Sequence, residues 1–368
     1  MKILITGANG FIGKNLVVRL QELNEFTIYS FTRDNSLQQL SEYIHITDVI
    51  VHLAGANRPD NEADFNDINF QLTQTICQEI IKSQRTISFL LASSIQAENN
   101  NQYGKSKLAA EQAVQELAKV TKNPVYIYRL ANVFGKWCKP NYNSVVATFC
   151  HNIANDKNIK INDKLCEISL VYVDDVINNF ISTIKNPKAG LSLPQITPLY
   201  SISLGQLANK IYSFKNIMNN SLIDNLGKGL TKKLYSTYLS YTSPKDFSYD
   251  LQQHADDRGT FVEVLKNKQF GQISYFTIKP GITRGGHYHH TKSEKFIVVQ
   301  GTVTIRFKNV ITNQTYQITC SSKSPQVINT IPGWVHDISN VSKDEAIVLA
   351  WANEIFNKSK PDTISCEM

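Results

Sequence analysis

The chain has 368 residues, of which 42% are hydrophobic and 19% are charged, and its net charge is +7. This apolar content excludes a disordered chain, and the length favours two domains. The basic excess is not gathered into a dense Lys/Arg run and no nucleic-acid motif is present, so the charge fits a solvated surface or an anionic small molecule.

Short apolar runs alternate with amphipathic segments in the first half of the chain. The segments predict helices, the longest of them at 11–23 and 101–118. The apolar runs predict strands at 3–5, 26–31, 48–54, 87–92 and 124–130. Strands that alternate with helices favour an α/β fold, a doubly wound parallel sheet of the Rossmann type.

The pattern loses its regularity at 201–248, and we place a domain junction near 240–248, giving predicted domains 1–243 and 244–368. Short runs between Gly, Pro, Asn and Ser turns predict strands at 272–279, 294–300, 303–307, 315–319, 326–329 and 346–351. Many short strands with little helix predict an all-β second domain, a sandwich or jelly roll.

The six cysteines form no CxxC pair, which favours a reducing compartment. No run approaches the roughly 20 apolar residues that span a bilayer. The apolar run at 3–5 is too short for a signal peptide. We therefore expect a cytoplasmic protein without a membrane partner.

The sequence TGANGFIG at 6–13 follows the first predicted strand and opens the first helix. Glycines tighten such a turn and let the backbone approach a pyrophosphate, which the helix N-terminus attracts. A glycine triplet alone is a weak signal, and its position between strand and helix strengthens it. The predicted cofactor contacts are Gly7, Asn9, Gly10, Phe11, Ile12 and Gly13.

The residue that follows the second strand separates NAD from NADP. An acidic residue there binds the ribose hydroxyls of NAD, whereas an arginine pairs with the 2′-phosphate of NADP. Arg33 occupies this place, so we expect NADP(H). The neighbouring Asp34 leaves NAD open, and an ordinary surface arginine is the other alternative.

Tyr103 and Lys107 are four residues apart and share one face of a predicted helix. An ammonium beside a tyrosine lowers its pKa, because it favours the phenolate. Such a tyrosine can protonate the alkoxide formed when hydride reaches a carbonyl. A hydroxyl from the preceding strand end, that of Ser93 or Ser94, can hold the carbonyl oxygen.

The loop at 134–143 also follows a strand end, where doubly wound sheets bind ligands. It contains two lysines, aromatic side chains and amides, which suit a nucleotide diphosphate. An ordinary polar loop is the alternative.

These segments together resemble the extended short-chain dehydrogenases/reductases. The matching pieces are TGANGFIG (6–13), HLAG (52–55), Asn69, SS (93–94), YGKSK (103–107) and YRLANVFG (128–135). The resemblance implies that the cofactor is also lined by Leu53, Ala54 and Gly55.

The same resemblance implies that the catalytic residues are Ser94, Tyr103 and Lys107, the last two of which also contact the cofactor. Ser94 is preferred to Ser93 because the family usually uses the second serine of such a pair. The short interval between Ser94 and Tyr103 departs from many members and predicts a more open substrate pocket.

The second domain carries a set of potential metal ligands, namely His287, His289, Glu294 and His336. His287 and His289 project from one face of a strand, because side chains alternate. Three imidazoles and a carboxylate suit Zn, Fe, Mn or Ni. The spacing resembles the two motifs of cupins, and His290, on the opposite face, is left out of the shell.

The segment Asp257-Arg258-Gly259, with Phe261 and Glu263, resembles deoxysugar 3,5-epimerases. Metal-free members of that family use a His–Asp base, so a metal here is either structural or a Lewis acid for an enediolate. A 4-keto sugar links the two domains chemically. Its carbonyl acidifies the C3 proton, which a cupin can move, and the same carbonyl accepts hydride.

The whole arrangement resembles bifunctional enzymes of capsular polysaccharide synthesis. The resemblance is carried by GKWCKPNYNSV (135–145), LYSTYLSY (234–241), HYHHTKSEKF (287–296) and NEIFNKSKPDT (353–363). It implies that the cupin epimerises C3 of UDP-2-acetamido-2,6-dideoxy-hexos-4-ulose. NADPH reduction at C4 would then give UDP-N-acetyl-6-deoxy-L-talosamine, on the route to UDP-N-acetyl-L-fucosamine. It also implies a zinc ion and a homodimer.

Two alternatives to this function stay open. One is another nucleotide-sugar 4-ketoreductase or 4-epimerase with a structural cupin. The other is an NADP-sensing regulatory protein without turnover, against which the intact Ser/Tyr/Lys set argues.

Overall fold

The computed structural model describes residues 1–57, 61 and 65–368, which divide into two compact units. Unit 1 comprises Met1–Tyr212 and Lys232–Ser243, and unit 2 comprises Ser213–Thr231 and Pro244–Met368. Residues 213–231, which the sequence assigned to the first domain, thus cluster with the second. As limits of domains, 1–243 and 244–368 stay a prediction. None of the described helices is long and apolar enough to cross a membrane.

Strands and helices alternate along unit 1. Its strands are β1 (Lys2–Thr6), β2 (Thr27–Phe31), β3 (Val49–His52), β4 (Ser88–Ser94), β5 (Pro124–Leu130), β6 (Asn132–Phe134), β7 (Glu167–Tyr172), β8 (Gly190–Ser192) and β9 (Tyr200–Ser203). The described helices of the chain are α1 (Phe11–Leu23), α2 (Leu37–Ile46), α3 (Leu72–Ser83), α4 (Gln102–Val120), α5 (Val145–Ala154), α6 (Val173–Lys185), α7 (Leu204–Lys215), α8 (Ile217–Asn220) and α9 (Gly229–Leu239).

Within the described residues, six strands form a parallel sheet in the order β2-β1-β3-β4-β5-β8. The chain moves outward from β1 to β2 and returns on the other side of β1 with β3. Ligands of doubly wound sheets bind where the strand order reverses in this way, outside the carboxyl ends of the strands. The carboxyl ends of β1, β3 and β4 are Thr6, His52 and Ser94.

Both faces of the sheet are buried by helices. Ile3 and Ile5 pack with Leu16 of α1 and Phe180 of α6. Leu4 points to the opposite face, into a cluster built with α2, α3 and α4. Since burying one such side chain contributes roughly 1.5–3 kcal/mol, the two layers make the sheet a firm platform for the loops at its carboxyl edge.

Unit 2 is built from antiparallel strands. They are β10 (Gln253–Asp256), β11 (Gly259–Asn267), β12 (Gly271–Ile278), β13 (Thr283–Tyr288), β14 (Glu294–Gln300), β15 (Thr302–Asn309), β16 (Thr315–Ser321), β17 (Ile328–Asn329), β18 (Trp334–Asn340), β19 (Ala346–Ala352) and β20 (Ile364–Ser365). Among the described strands, one sheet has the order β10-β11-β12-β19-β14-β17 and the other β16-β15-β18-β13-β20.

The two sheets of unit 2 share one apolar core. Phe276 and Val348 from the first sheet pack with Ile305, Phe307 and Ile338 from the second. The predicted fold class, a doubly wound parallel sheet followed by an all-β domain of two sheets, is confirmed.

Candidate functional site

The turn between β1 and α1 brings two backbone segments into close approach. Gly7 has a φ of 68°, and a Cβ there would lie 2.7 Å from the backbone nitrogen of Ala54. A Cβ at Gly13 would lie 2.3 Å from the carbonyl oxygen of Gly7. Neither position has room for a side chain, so the turn requires both glycines. A backbone cradle of this kind fits the pyrophosphate of a dinucleotide.

A cavity of about 490 Å³ lies at this turn. Its lining includes Gly7, Asn9, Gly10, Phe11, Ile12, Gly13, Leu53, Gly55, Ser94, Tyr103 and Lys107. The fold therefore brings together residues from four separate sequence motifs. Arg33 is exposed beyond the end of β2, and neither Arg33 nor Ala54 is among the described residues that line the cavity.

The loop after β6 borders the same cavity. Its contributing side chains are Trp137, Cys138, Lys139, Tyr142 and Asn143. Lys136, in contrast, pairs with Asp174 at 2.8 Å. The aromatic and amide groups predicted to meet a nucleotide thus line the cavity, whereas one of the two lysines is engaged elsewhere.

Tyr103 lies in the first turn of α4, where the Asn101 side chain caps the helix by accepting from the Gly104 amide at 2.7 Å. Burial raises the pKa of Tyr103 above its ordinary value, and a hydrogen bond with Ser94 acts in the opposite direction. The expected lowering by the neighbouring lysine is therefore wrong for the cavity as it stands. A phenol with a raised pKa holds its proton and is suited to donate it.

The Lys107 ammonium lies beside the backbone of β4 and of the segment after β3, in the same cavity lining as Tyr103. Its Nζ donates to the Ala92 carbonyl at 3.3 Å, and a Cβ at Gly55 would lie 3.1 Å from that nitrogen. Burial lowers the pKa of Lys107 to about 8, and the charge of Glu111 acts to raise it. Gly55, assigned to the cofactor by resemblance, thus also leaves room for the ammonium.

A buried carboxylate holds the strand end behind these residues. Glu111 is fully buried, accepts from the Ser93 hydroxyl at 2.5 Å, and binds Arg129 Nε and Nη2 at 3.0 and 2.7 Å. Arg129 Nη1 also pairs with Glu98 at 2.7 Å. Because the Ser93 hydroxyl donates to Glu111, Ser94 is the serine of this pair that bonds to Tyr103. Sequence reasoning missed this network, although Glu111 follows Lys107 by one helical turn.

His52, the last residue of β3, connects the end of β1 to the start of α3 through its ring nitrogens. Its Nδ1 lies 2.6 Å from the Thr6 hydroxyl and its Nε2 lies 2.8 Å from that of Thr73. Burial, followed by the charge of Lys107, lowers the pKa of His52 to about 3, so the ring is neutral. Thr6 also accepts the backbone amides of Leu53 and Ala54, each at 3.2 Å, which fixes the segment that the sequence assigned to the cofactor.

Four potential metal ligands converge inside unit 2. Their ligand atoms lie within 4.8 Å of one another and belong to His287, His289, Glu294 and His336. His287 on β13 pairs directly with His336 on β18, whereas Glu294 begins β14 in the other sheet. All four predicted metal ligands are therefore brought together, and the excluded His290 is exposed.

The donor atoms of this cluster face one another. Nδ1 of His336 lies 3.4 Å from the carbonyl oxygen of Trp334, which only accepts, so the proton belongs on Nδ1. Nε2 of His336 is buried, has no hydrogen-bond partner among the described residues, and lies 3.7 Å from Glu294 Oε2. Nε2 of His289 lies 3.2 Å from the same oxygen. Two ligands of a tetrahedral zinc ion with bonds of about 2.1 Å are about 3.4 Å apart, so the residues fit such an ion.

The electrostatics of the cluster also suit a cation. Burial, then the charges of His336 and His289, lower the pKa of His287 to about 4. Burial acts to raise the pKa of Glu294, but Lys292, whose Nζ is 2.7 Å from Oε1, is among the groups that hold that pKa well below its usual range. A neutral imidazole and an ionised carboxylate are the forms that bind metals.

A cavity of about 330 Å³ adjoins the cluster. Arg284 lies on its wall, with its guanidinium 5.5 Å from the centre of the Phe276 ring, and Phe261 and Phe356 contribute apolar surface. The lining also includes the carboxylates of Glu263 and Glu354, so it presents groups of both charges beside aromatic rings, which suits a ligand with polar and apolar parts.

Comparisons with known proteins cover both units. Residues 3–196 match the NAD dependent epimerase/dehydratase family, and residues 254–364 match the polysaccharide biosynthesis C-terminal domain. A UDP-2-acetamido-2,6-beta-L-arabino-hexul-4-ose reductase from Pseudomonas aeruginosa is 47% identical over 368 residues, which is 100% of this chain and 99% of that protein.

Solved structures agree with this match. The capsular polysaccharide assembling protein CapF from Staphylococcus aureus superposes with a TM-score of 0.92 at 39% identity, covering 100% of both chains. WbmF from Bordetella bronchiseptica, in complex with NAD+ and UDP, gives a TM-score of 0.56 at 19% identity, over 65% of this chain and 91% of that one. The second likeness shows the fold alone.

Proposed function

Since the chain belongs to the NAD dependent epimerase/dehydratase family, we propose that unit 1 is an NADPH-dependent reductase of a UDP-linked 4-keto sugar. The observation that carries this proposal is the single cavity that Ser94, Tyr103 and Lys107 share with the glycine turn. The relative from Pseudomonas aeruginosa, matched over the whole chain, is a reductase of a UDP-linked hexulose and supports the same substrate class.

The residues of the cavity divide the work of a ketone reduction. The glycine turn binds the pyrophosphate of the cofactor, and a bound nicotinamide supplies hydride. The Ser94 hydroxyl donates a hydrogen bond to the C4 oxygen of the sugar. Tyr103, kept protonated by its raised pKa, gives its proton to the same oxygen, so that the ketone becomes an alcohol. The Lys107 ammonium stabilises the phenolate left on Tyr103.

We propose that Arg33 selects NADP(H) over NAD(H). It follows β2, the strand next to the glycine turn, and it is exposed and therefore open to a 2′-phosphate. Its place outside the cavity lining is compatible with this role, because the 2′-phosphate projects from the adenosine end of the cofactor.

Unit 2 is proposed to epimerise C3 of the same substrate, UDP-2-acetamido-2,6-dideoxy-hexos-4-ulose, with reduction giving UDP-N-acetyl-6-deoxy-L-talosamine. His287, His289, Glu294 and His336 would hold a divalent ion, for which zinc fits the donor set. Such an ion polarises a carbonyl oxygen as a Lewis acid. Arg284 and the aromatic rings of the adjoining cavity suit a nucleotide sugar. A homodimer and a cytoplasmic location stay predictions.

One incubation tests both halves. The purified protein is mixed with NADPH and the UDP-4-keto sugar in D₂O, and the product is followed by NMR. The proposal expects stoichiometric loss of NADPH, deuterium at C3 and the talo product. Loss of NADPH without deuterium at C3 would leave a plain 4-ketoreductase. No net loss of NADPH would instead favour a 4-epimerase, which recycles its cofactor.

A further inference from the structure

A segment near the end of the sequence lies against the loop that carries two of the proposed metal ligands. β20 pairs with β13 at His287 and Tyr288, and the Cys366 amide donates to the Gly286 carbonyl at 3.0 Å. Residues 361–366 reach from this strand pairing to the loop at 290–292, where the Asp362 side chain makes its hydrogen bonds.

The carboxylate of Asp362 gathers the backbone amides of that loop. It accepts from His290 at 2.9 Å and from Thr291 and Lys292 at 2.8 Å each, and the Thr291 hydroxyl adds a bond of 3.1 Å. Three consecutive N–H groups around one carboxylate fix the path of the backbone.

The loop at 290–293 connects His289, which directly follows β13 of one sheet, to Glu294, the first residue of β14 in the other. Its four residues determine how far apart the two ligand atoms are held, and they are 3.2 Å apart in the structure. Asp362 therefore fixes the segment on which that separation depends.

The backbone of Asp362 makes a second contact, with the His289 ring itself. Its carbonyl oxygen accepts from Nδ1 of His289, a ring that is 1% exposed. A carbonyl only accepts, so Nδ1 carries the proton and the lone pair of Nε2 faces Glu294. Ligating histidines are commonly oriented by such a bond from the ring nitrogen that does not bind the metal.

We propose that Asp362 is a positioning residue for the metal site of unit 2, acting through the loop at 290–292 and through the His289 ring. The inference rests on the metal site proposed above. Asp362 is not a ligand in this scheme: it holds two ligands in the arrangement that binds the ion. Metal affinity then depends on a residue about seventy positions away in the sequence, as the contacts to His290, Thr291 and Lys292 indicate.

Metal affinity of the full-length protein provides the test. Binding of Co²⁺ and Zn²⁺ is measured by competition with a chromophoric chelator, together with the rate of Co²⁺ release. Loss of an outer contact to a ligand typically weakens metal binding by about 10–100-fold. We expect about 10-fold weaker binding and faster release for Asp362→Ala, and a smaller loss for Asp362→Asn, whose amide oxygen still accepts. Asp344→Ala, an exposed carboxylate on another turn of unit 2, is the matched control and should bind as the wild type does.

The outcomes separate the two proposals. If the wild type binds neither ion, the metal site itself is wrong and this inference falls with it. If the wild type binds and Asp362→Ala binds equally well, the metal site stands and the role of Asp362 is overturned.

A second readout distinguishes positioning from a general loss of structure. In metal-free protein labelled with ¹⁵N-histidine, the His289 ring should be the Nδ1–H tautomer, and removal of residues 361–368 should give a mixture. The thermal unfolding midpoint of metal-free Asp362→Ala should stay near that of the wild type while its affinity falls. An Nε2–H tautomer in the wild type, or a fall in affinity matched by unfolding of the metal-free variant, would contradict the proposal.

Discussion

The two candidate sites are assembled in opposite ways. In unit 1, the groups come from strand ends and from the start of a helix, and each is held from behind by its own hydrogen bonds, as Glu111 holds Ser93. In unit 2, the ligands come from the inner faces of two sheets and converge on one point, within 4.8 Å. The first site is a cavity with room for a large molecule, and the second is a cluster of side chains with room for an ion.

The difference in assembly is matched by a difference in charge. The cavity of unit 1 presents the backbone of a helix start and the ammonium of Lys107, groups that favour an anion. The cluster of unit 2 presents imidazole lone pairs and the carboxylate of Glu294, groups that favour a cation. Desolvation acts on both, lowering the pKa of Lys107 to about 8 and that of His287 to about 4. Burial alone thus does not determine whether a site binds an anion or a cation. The charge of the groups that converge on the site determines it.

The largest expected effect lies in unit 1. Tyr103→Phe removes the proton donor, and general acid catalysis contributes about 10²–10⁴-fold, so we expect kcat for NADPH oxidation to fall by about 10³-fold. NADPH affinity, measured by fluorescence titration, should change little, because the glycine turn is untouched. Tyr212→Phe, an exposed tyrosine of α7, is the control. Unchanged oxidation by Tyr103→Phe would remove the proposed role.

Removing a metal ligand should abolish the proposed activity of unit 2 without affecting the activity of unit 1. Glu294→Gln takes away the carboxylate that two imidazoles face, and we expect metal affinity to fall by at least about 100-fold, more than for an outer contact. Deuterium exchange at C3 should fall with it, while reduction of substrate already epimerised at C3 continues. Metal content by atomic absorption and NADPH oxidation check the two halves separately. Equal loss of both activities would show that the two sites are not independent.

The comparison also explains which features the sequence could predict. The strand period predicted that His287 and His289 lie close together, and they do, although β13 ends one residue before His289. The helix period likewise predicted that Tyr103 and Lys107 line one cavity. Asp362 was not predictable, because no local pattern signals a contact with a loop about seventy residues earlier. The pKa direction of Tyr103 was mispredicted, since it depends on burial rather than on spacing.

Other misses have the same cause. Arg129 was part of a matching segment, but its pairing with Glu111 arises only when α4 packs against β5. Residues 213–231 were assigned to the first domain by their place in the chain, whereas Leu222 is bridged to Lys266 of β11. Sequence periods thus predicted the faces of elements, and the contacts between distant elements required the fold.

A smaller effect should come from the network behind the cavity. Breaking a buried ion pair costs about 3–5 kcal/mol, and less where one partner reaches solvent. Arg129 is partly exposed at 31%, so we expect Glu111→Gln to lower the free energy of unfolding by about 2 kcal/mol. Glu116→Gln on the same helix breaks an exposed pair with Lys119 and should cost less than about 0.5 kcal/mol. Urea denaturation measures both, and equal costs would contradict a structural role for Glu111.

The same variant has a second readout in the pH profile. The charge of Glu111 raises the pKa of Lys107 against the lowering by burial, so its removal lowers that pKa further. If the reaction needs the ammonium, activity is lost as pH rises through this pKa. The alkaline limb of kcat/KM should therefore move to lower pH in Glu111→Gln and stay in place in Glu116→Gln.

The smallest expected effect concerns cofactor choice, at the edge of the first site. Arg33 is exposed, and exposed ion pairs contribute up to about 1 kcal/mol, which corresponds to roughly 5-fold in affinity. Arg33→Ala should therefore raise KM for NADPH by about 5-fold and leave KM for NADH unchanged, because NADH has no 2′-phosphate. The effect should shrink at high salt, since exposed charges are screened. Arg19→Ala, which breaks an exposed pair with Glu22 on α1, is the control. A rise in KM for both cofactors would mean that Arg33 supports the turn rather than binding the 2′-phosphate, and the anion preference of unit 1 would then belong to the glycine turn and to Lys107.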